Sequence, residues 1–550
     1  MVKYFLCACF FVISVQGVKA QKTSPSFILD SLDSFITQGL KDWNIPGLSI
    51  AIVKDGKTVV MKGYGVRDLK TKEPVDENTL FMIASNSKLF TGTALAQLDY
   101  NKKLSLDDTV GKYIKGYTLY DKNTSELVTI RDLLSHHLGT RTFQGDFVFW
   151  NSNLGRQQII NRMKLLKPSE IFRQSYGYCN SCFVTAGEII PVVTGKPWEV
   201  YVYDSIIMPL GMTNTHTLAQ GMSQRPNVAK PYTTSFTGKL TEIPYDNVDN
   251  LGPAGSMVSN VKDLSRWLLM QLDSGRYEGR RILPWEVLKK TREMSTIIRS
   301  QRSARYPIHF QAYGLGVFMS DYNGRQIYFH TGGADGFVTN TCFVPEESLG
   351  ITILTNNDNQ SFFEVLKYQI LDAYLGVPYT NRSKSTLPGF AKEQNEMVKT
   401  TESLQARVKG NKPELALDAY TGTYENELYG PITIEKDKEG KGLVINFKGH
   451  NNLLGKVQYM DNEQWLLTYN NLAFGIFPVE FKTANKKVLS TELRVNEFID
   501  YDSYVFIKNK VLCRVACTAA DCADKRRKEF LSAIKSAISA KSAGKNFCKF

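Results

Sequence analysis

The feature that most constrains the fold of this chain is a change of hydrophobic period near residue 413. Beyond that point apolar and polar residues alternate: Ile432/Ile434, Leu443/Ile445/Phe447, Val457/Tyr459, Trp465/Leu467/Tyr469, Leu489/Leu493/Val495 and Tyr504/Phe506. Turn signals stand at Lys438-Glu-Gly440 and Asp461-Asn462. Period two places every second side chain on one face of a strand, so residues 413–508 predict a small antiparallel barrel or sandwich. The chain before the change mixes amphipathic helical runs with short strands, a different core. A chain of 550 residues that is 43% hydrophobic can bury both. Between them, residues 379–412 are polar and charged, with Pro388, Gly389 and Gly410 as punctuation, and read as a linker.

The longer first region, residues 21–378, carries the candidate chemistry. Phe27 to Trp43 reads as an amphipathic helix, followed by a hairpin with an Asp55-Gly56 turn. Ser85-Asn-Ser-Lys88 follows the apolar run Leu80–Ile83 and opens the helical stretch Leu89 to Leu98. On a helix, Ser-x-x-Lys sets an amine one turn above a hydroxyl on the same face, where it can take the hydroxyl's proton. The spacing also occurs at Ser259, Ser532 and Ser542. None of those has the same surroundings, and they are treated as chance. Further on, Tyr178-Cys-Asn180 precedes a helical run, and His330-Thr-Gly-Gly333 follows the strand-like Gln326–Phe329.

Ser-x-x-Lys, Tyr-x-Asn and His-Thr-Gly in this order resemble the serine β-lactamase and penicillin-binding protein superfamily. The His form of the third motif is similar to the class C-related branch. The likeness extends through Leu104–Val110, Ile130–His136, Pro209–Thr215, Gly252–Ser259 and Tyr313–Gly316. It implies an α+β fold of the β-lactamase/transpeptidase type: an antiparallel sheet flanked by helices, with a helical insert. The C-terminal β region resembles the lipocalin-like domain often appended to such hydrolases. As a whole the chain also resembles the gigasins of mollusc shell matrix.

The resemblance implies acyl transfer through a serine ester. Ser85 would be the nucleophile, Lys88 its proton acceptor with a pKa lowered by burial, and Tyr178 a proton relay. Asn180 would hold Lys88 and bind a substrate amide. His330 would bind a substrate carboxylate or support Tyr178, with a pH dependence near ~6.5. The N–H groups of Ser85 and Gly333 would form the oxyanion hole, and Thr331 and Gly332 would line the substrate strand. The middle residue of Tyr-x-Asn is here Cys179, with Cys182 three residues on. A bridge between them would stiffen the loop, and a reduced Cys179 would act as a serine-sized residue. His136 and His137 read as structural. Six histidines and the cysteines show no zinc spacing, so neither metal nor cofactor is expected.

Residues 1–20, with Lys3, the apolar run Phe5–Val15 and Val18-Lys-Ala20, read as a cleavable secretory signal. No stretch is long enough to span a membrane. Export permits disulfides among the seven remaining cysteines, four of which lie in the tail, residues 509–550. Asn123, Asn359 and Asn381 are glycosylation sequons. The net charge is +13; from Val511 to Phe550 nine Lys or Arg face three Asp or Glu. That tail offers a surface for acidic polysaccharide or matrix anions, or is merely solvated. No nucleic-acid motif accompanies the charge. The expected function is a secreted serine hydrolase acting on a small amide, ester or D-amino-acid peptide. The alternative is an extracellular matrix or binding protein that retains the fold.

Overall fold

The computed structural model describes residues 24–509. The signal segment and the cysteines of the tail (Cys513, Cys517, Cys522 and Cys548) lie outside the described residues. Eight strands form one antiparallel sheet: β1 (Gly47–Lys54), β2 (Lys57–Gly65), β3 (Thr296–Arg299), β4 (Gln311–Tyr313), β5 (Phe318–Tyr322), β6 (Arg325–Ala334), β7 (Phe337–Val344) and β8 (Leu349–Thr355). Their spatial order is β2-β1-β8-β7-β6-β5-β4-β3. The first and last strands of this sheet in chain order, β1 and β8, therefore pair as neighbours, with Ile50 opposite Ile353.

Both faces of the sheet are covered, which is why β1 is buried along nearly its whole length rather than on alternate residues. Leu48, Ile50 and Ile52 face one layer, formed by α1 (Leu32–Asp42) and a C-terminal helix, Phe362–Leu375. Ala51 and Val53 face the other, larger core. That second layer holds α2 (Ser87–Tyr100), α3 (Asn180–Gly187) and α4 (Val261–Leu272). The C-terminal helix is α5.

Residues 379–412, read as a linker, contain a 25-residue helix instead, α6 (Arg382–Ala406), with Pro388 inside it. Proline removes one backbone donor and strains the turn before it, and tertiary contacts offset that cost. Asn381 caps the helix, its Oδ1 accepting the Lys384 N–H at 3.0 Å. Arg382 pairs with the buried Asp372, and Phe390 lies 5.1 Å from the Trp43 ring. Sequence punctuation alone did not reveal this helix.

The C-terminal region is a closed antiparallel barrel of eight strands: β9 (Gly422–Asn426), β10 (Gly430–Lys436), β11 (Leu443–Phe447), β12 (Leu454–Tyr459), β13 (Gln464–Tyr469), β14 (Ile476–Ala484), β15 (Lys487–Arg494) and β16 (Ser503–Lys508). Period-two residues such as Ile432, Ile445, Phe447, Trp465, Leu467 and Phe506 are all but fully buried, so side chains fill its interior. The barrel packs on the segment after Asp146. Phe147 stacks on Tyr429 at 5.1 Å, His450 Nε2 bonds the Trp150 carbonyl at 3.0 Å, and Arg162 reaches the Leu428 carbonyl at 2.8 Å.

Candidate active site

Ser85 sits in a single 3₁₀ turn, Ala84–Asn86, that leads into α2. Ala84 has φ +47°, a left-handed conformation that a residue with a Cβ adopts only when its surroundings hold it. Two things hold it here. The Ile83 N–H donates to the Met257 carbonyl at 2.9 Å, and the Asn86 side chain bridges the Ile83 carbonyl and Thr339. The turn therefore presents Ser85 to a cleft at the sheet edge.

Lys88 is fully buried one turn along. Its Nζ lies 3.1 Å from Ser85 Oγ, 2.7 Å from Asn180 Oδ1 and 2.8 Å from the Ala254 carbonyl oxygen. Burial pulls its pKa down to about 7, against the opposing pull of Asp146, Cys179 and Cys182. The three partners matter for the same reason. Asn180 Oδ1 and the carbonyl can only accept, so a neutral amine spends both hydrogens on them and turns its lone pair to the Ser85 hydroxyl.

Asn180 is fixed in turn by Asp146, whose Oδ2 accepts its Nδ2–H at 2.6 Å. Asp146 is buried and its own pKa is driven well up, first by burial and then by Asp500. Tyr178 shares a hydrogen bond with Ser85, and burial pushes its phenol far above the usual range, so it stays protonated. Its ring is 4.6 Å from Lys88 Nζ and 4.4 Å from the His136 ring. His136 Nδ1 accepts the Cys179 N–H at 3.0 Å. This histidine thus positions the Tyr-x-Asn loop.

The end of β6 passes the Ser85 turn at very close range. A Cβ on Gly332 would lie 2.0 Å from the Ile83 carbonyl oxygen, so only glycine fits there. Thr331 and Gly333 face the cleft. Thr331 Oγ1 accepts from Asn340 at 2.9 Å.

His330 departs from its expected role. Its Nδ1 bonds the Thr331 carbonyl at 2.7 Å and its Nε2 bonds the Tyr313 hydroxyl at 2.8 Å. With burial and the nearby Lys88 charge lowering its pKa to about 3, the ring is neutral and both nitrogens are engaged. It cannot pair with a substrate carboxylate as a cation, and it does not titrate near ~6.5. Its ring lies 6.2 Å from that of Tyr178, and its partner Tyr313 lies 4.7 Å from the His136 ring.

Cys179 and Cys182 are free thiols, as is Cys342. Cys179 is held near a pKa of about 7, chiefly by its hydrogen bond with Cys182. The reduced form of the loop is therefore the one that builds this site.

The sequons differ in setting. Asn123 is exposed on a short helix. Asn359 is half-buried: its Nδ2 donates to Thr234 at 3.1 Å and Gln394 at 2.6 Å, and it forms part of the cleft wall. Asn381 is the cap of α6.

Ser85, Tyr178, Asn180, His330, Thr331 and Gly333 together border one cavity of about 620 Å³. Three contributors were not singled out from sequence. Asp146 carries no motif. The Ala254 carbonyl lies in the Gly252–Ser259 phrase, whose role was not assigned. The barrel residues Phe498, Ile499 and Tyr501 also line the cavity. Among the described residues no cluster of His, Cys, Asp and Glu could hold a metal, and no helix is long and apolar enough to cross a membrane.

Comparisons with known proteins bear on the family and the fold. The Beta-lactamase family matches residues 32–375, and the chain belongs to that family. Residues 406–508 match a domain of unknown function, DUF3471. The unguisins hydrolase ungD of Aspergillus violaceofuscus is 25% identical over 440 residues, 73% of this chain and 76% of that protein. Protein flp of Staphylococcus aureus is 27% identical over 60% of this chain and 63% of its own. Among solved structures, the octameric penicillin-binding protein homologue from Pyrococcus abyssi aligns with TM-score 0.56 and 22% identity, over 87% of this chain and all of that one. A D-stereospecific amidohydrolase from Streptomyces sp. aligns with TM-score 0.52 and 21% identity, over 62% and 97%. At such identities these two structures speak to the fold alone.

Proposed function

We infer that this protein is an exported serine hydrolase that cleaves a small amide, ester or D-amino-acid peptide through an acyl-Ser85 intermediate. The observation that carries this reading is the Lys88 amine, buried, drawn down to about 7 and 3.1 Å from Ser85 Oγ. Neutral Lys88 takes the Ser85 proton as Oγ attacks the carbonyl. The backbone N–H groups of Ser85 and Gly333 receive the developing oxyanion, helped by the N-terminal end of α2. Tyr178, protonated, hands a proton to the leaving group and recovers it through Lys88. A water then attacks the ester by the same route in reverse.

Export rests on residues 1–20. The name of one relative, an unguisins hydrolase, supports hydrolysis as the reaction. The matrix alternative rests on the basic tail, and the assembled site favours catalysis over it. The test is Ser85→Ala in the full chain with an activated ester reporter. Turnover should vanish while the circular dichroism spectrum is unchanged. Equal turnover by both proteins overturns the assignment, and turnover by neither favours the matrix reading.

A further inference from the structure

The hydrolase domain does not close the cavity in front of Ser85 by itself. The loop between β15 and β16 lies along it, contributing Phe498, Ile499 and Tyr501. Phe498 packs so near the substrate strand that a Cβ on Gly333 would lie 2.8 Å from its Cζ. A side chain at 333 would have to displace the ring of a residue from the other domain.

The loop is anchored from both ends. Asp500 Oδ2 accepts the Phe147 N–H at 3.0 Å and the Tyr504 hydroxyl at 2.6 Å, and Asp502 pairs with Arg141. Tyr501 stacks on Phe143 at 5.7 Å, and Phe143 meets Tyr178 edge-on at 5.5 Å. An aromatic wall therefore runs from the barrel rim to the catalytic phenol. Phe498 and Tyr501 nonetheless remain 38% and 55% exposed, an unusual cost for anchored aromatic residues unless something covers them.

The charges of the cavity point the same way. Among the described residues that line it there is no Lys or Arg; its acidic groups are Glu393 and two buried carboxyls, Asp146 and Asp358, whose pKa values burial raises. Lys88 lies beneath and is committed to its three partners. His330 has no nitrogen to spare. An anionic substrate would find nothing to pair with, and an apolar side chain would find a preformed aromatic wall.

We propose that the barrel loop forms a side-chain subsite of the hydrolase, with Phe498 as its specificity-determining residue, for uncharged amides or esters bearing an aromatic group and no carboxylate beside the scissile bond. The proposal rests on the hydrolase reading for its chemistry, but its binding half can be measured without turnover.

In the Ser85→Ala protein, titrate N-acetyl-D-phenylalaninamide, N-acetyl-D-alaninamide and N-acetyl-D-phenylalanine by calorimetry or ligand-observed NMR. The aromatic amide should bind about tenfold or more tighter than either of the others. Adding Phe498→Ala should erase that preference, and Phe498→Leu should restore part of it. With Ser85 present, Phe498→Ala should lower the ratio of kcat/KM for a phenylacetyl over an acetyl ester by about tenfold. Equal binding of the free acid and the amide overturns the charge argument. A preference unchanged by Phe498→Ala, or no preference, overturns the subsite. Selective binding by a protein that hydrolyses nothing would leave this proposal standing and remove the hydrolase reading alone.

Discussion

The barrel interior and the Ser85 site are both closely packed, but they bury opposite kinds of atoms. Inside the barrel, Ile445, Phe447 and Leu467 present carbon to carbon, and the unpaired group there, Trp465 Nε1, is neutral. Around Ser85 the buried groups are an amine, a carboxyl, two imidazoles and two thiols. Hydrogen bonds satisfy most of them, yet His136 Nε2 has no partner and Lys88 is displaced from its ordinary pKa. Polar burial of this kind costs stability, and it is concentrated where proton transfer needs it. The barrel shows how the same chain packs where no chemistry is asked, and its share in function comes from its rim.

The sharpest way to break this contrast is Lys88→Met, which keeps an unbranched chain of similar length and removes the amine. Acylation should slow by about 10²- to 10⁴-fold in single-turnover kinetics, the range for one general acid–base group. Tyr178→Phe should fall at the lower end of that range. If both stay within a few-fold of wild type, the buried polar cluster is not catalytic.

The pH profile sharpens the assignment within the cluster. Lys88 works when neutral and its folded pKa is about 7, so acylation should be flat above that value and fall about tenfold per unit below it. The two imidazoles and the phenol packed around it do not supply this limb. His330 is at about 3, His136 well below its ordinary value, and Tyr178 far above. Cys179 lies near the same pH, so Cys179→Ser is the control: the limb should persist in it and in His330→Gln. Loss of the limb in either variant would move the titration away from Lys88.

The barrel side predicts large effects on stability and small ones on chemistry. Phe447→Ala should cost about 3–5 kcal/mol in a denaturant titration, as a cavity among fully buried side chains. Below its unfolding midpoint, reporter acylation should stay within a few-fold. Smallest of all, deletion of residues 511–550 should leave hydrolysis within a few-fold while weakening salt-sensitive binding to an acidic polysaccharide. A larger loss of hydrolysis would join the tail to the site.

How much of this could be read from the sequence depends on how far each signal reached. Period two fixed the barrel strands because inward positions there have no other use, and Phe447, Trp465 and Leu467 fall where alternation puts them. Ser85 with Lys88, and Tyr178 with Asn180, gave short local patterns because each pair sits within a few residues at the entry to a helix. The helix Arg382–Ala406 was hidden by Pro388 and Gly389, whose local preference is overridden by Trp43 and Asp372 in another part of the chain. His330 could be placed but not charged, because its neutrality depends on Tyr313 and on burial. Asp146 and Phe498 had no pattern at all. Each acts across a long sequence separation, through Asn180 and Gly333 respectively.

The central claim is that Lys88 activates Ser85 for covalent chemistry, and a mass measurement tests it most directly. Mix the full chain with a slowly deacylating activated ester, quench after one turnover and map the acyl group by peptide mass spectrometry. The account predicts one acyl equivalent, on the peptide bearing Ser85, at pH 8. Labelling should be absent in Ser85→Ala and slowed at least about a hundredfold in Lys88→Met. An acyl group found on Cys179 or Lys88, or continued turnover with Ser85 never labelled, would contradict it.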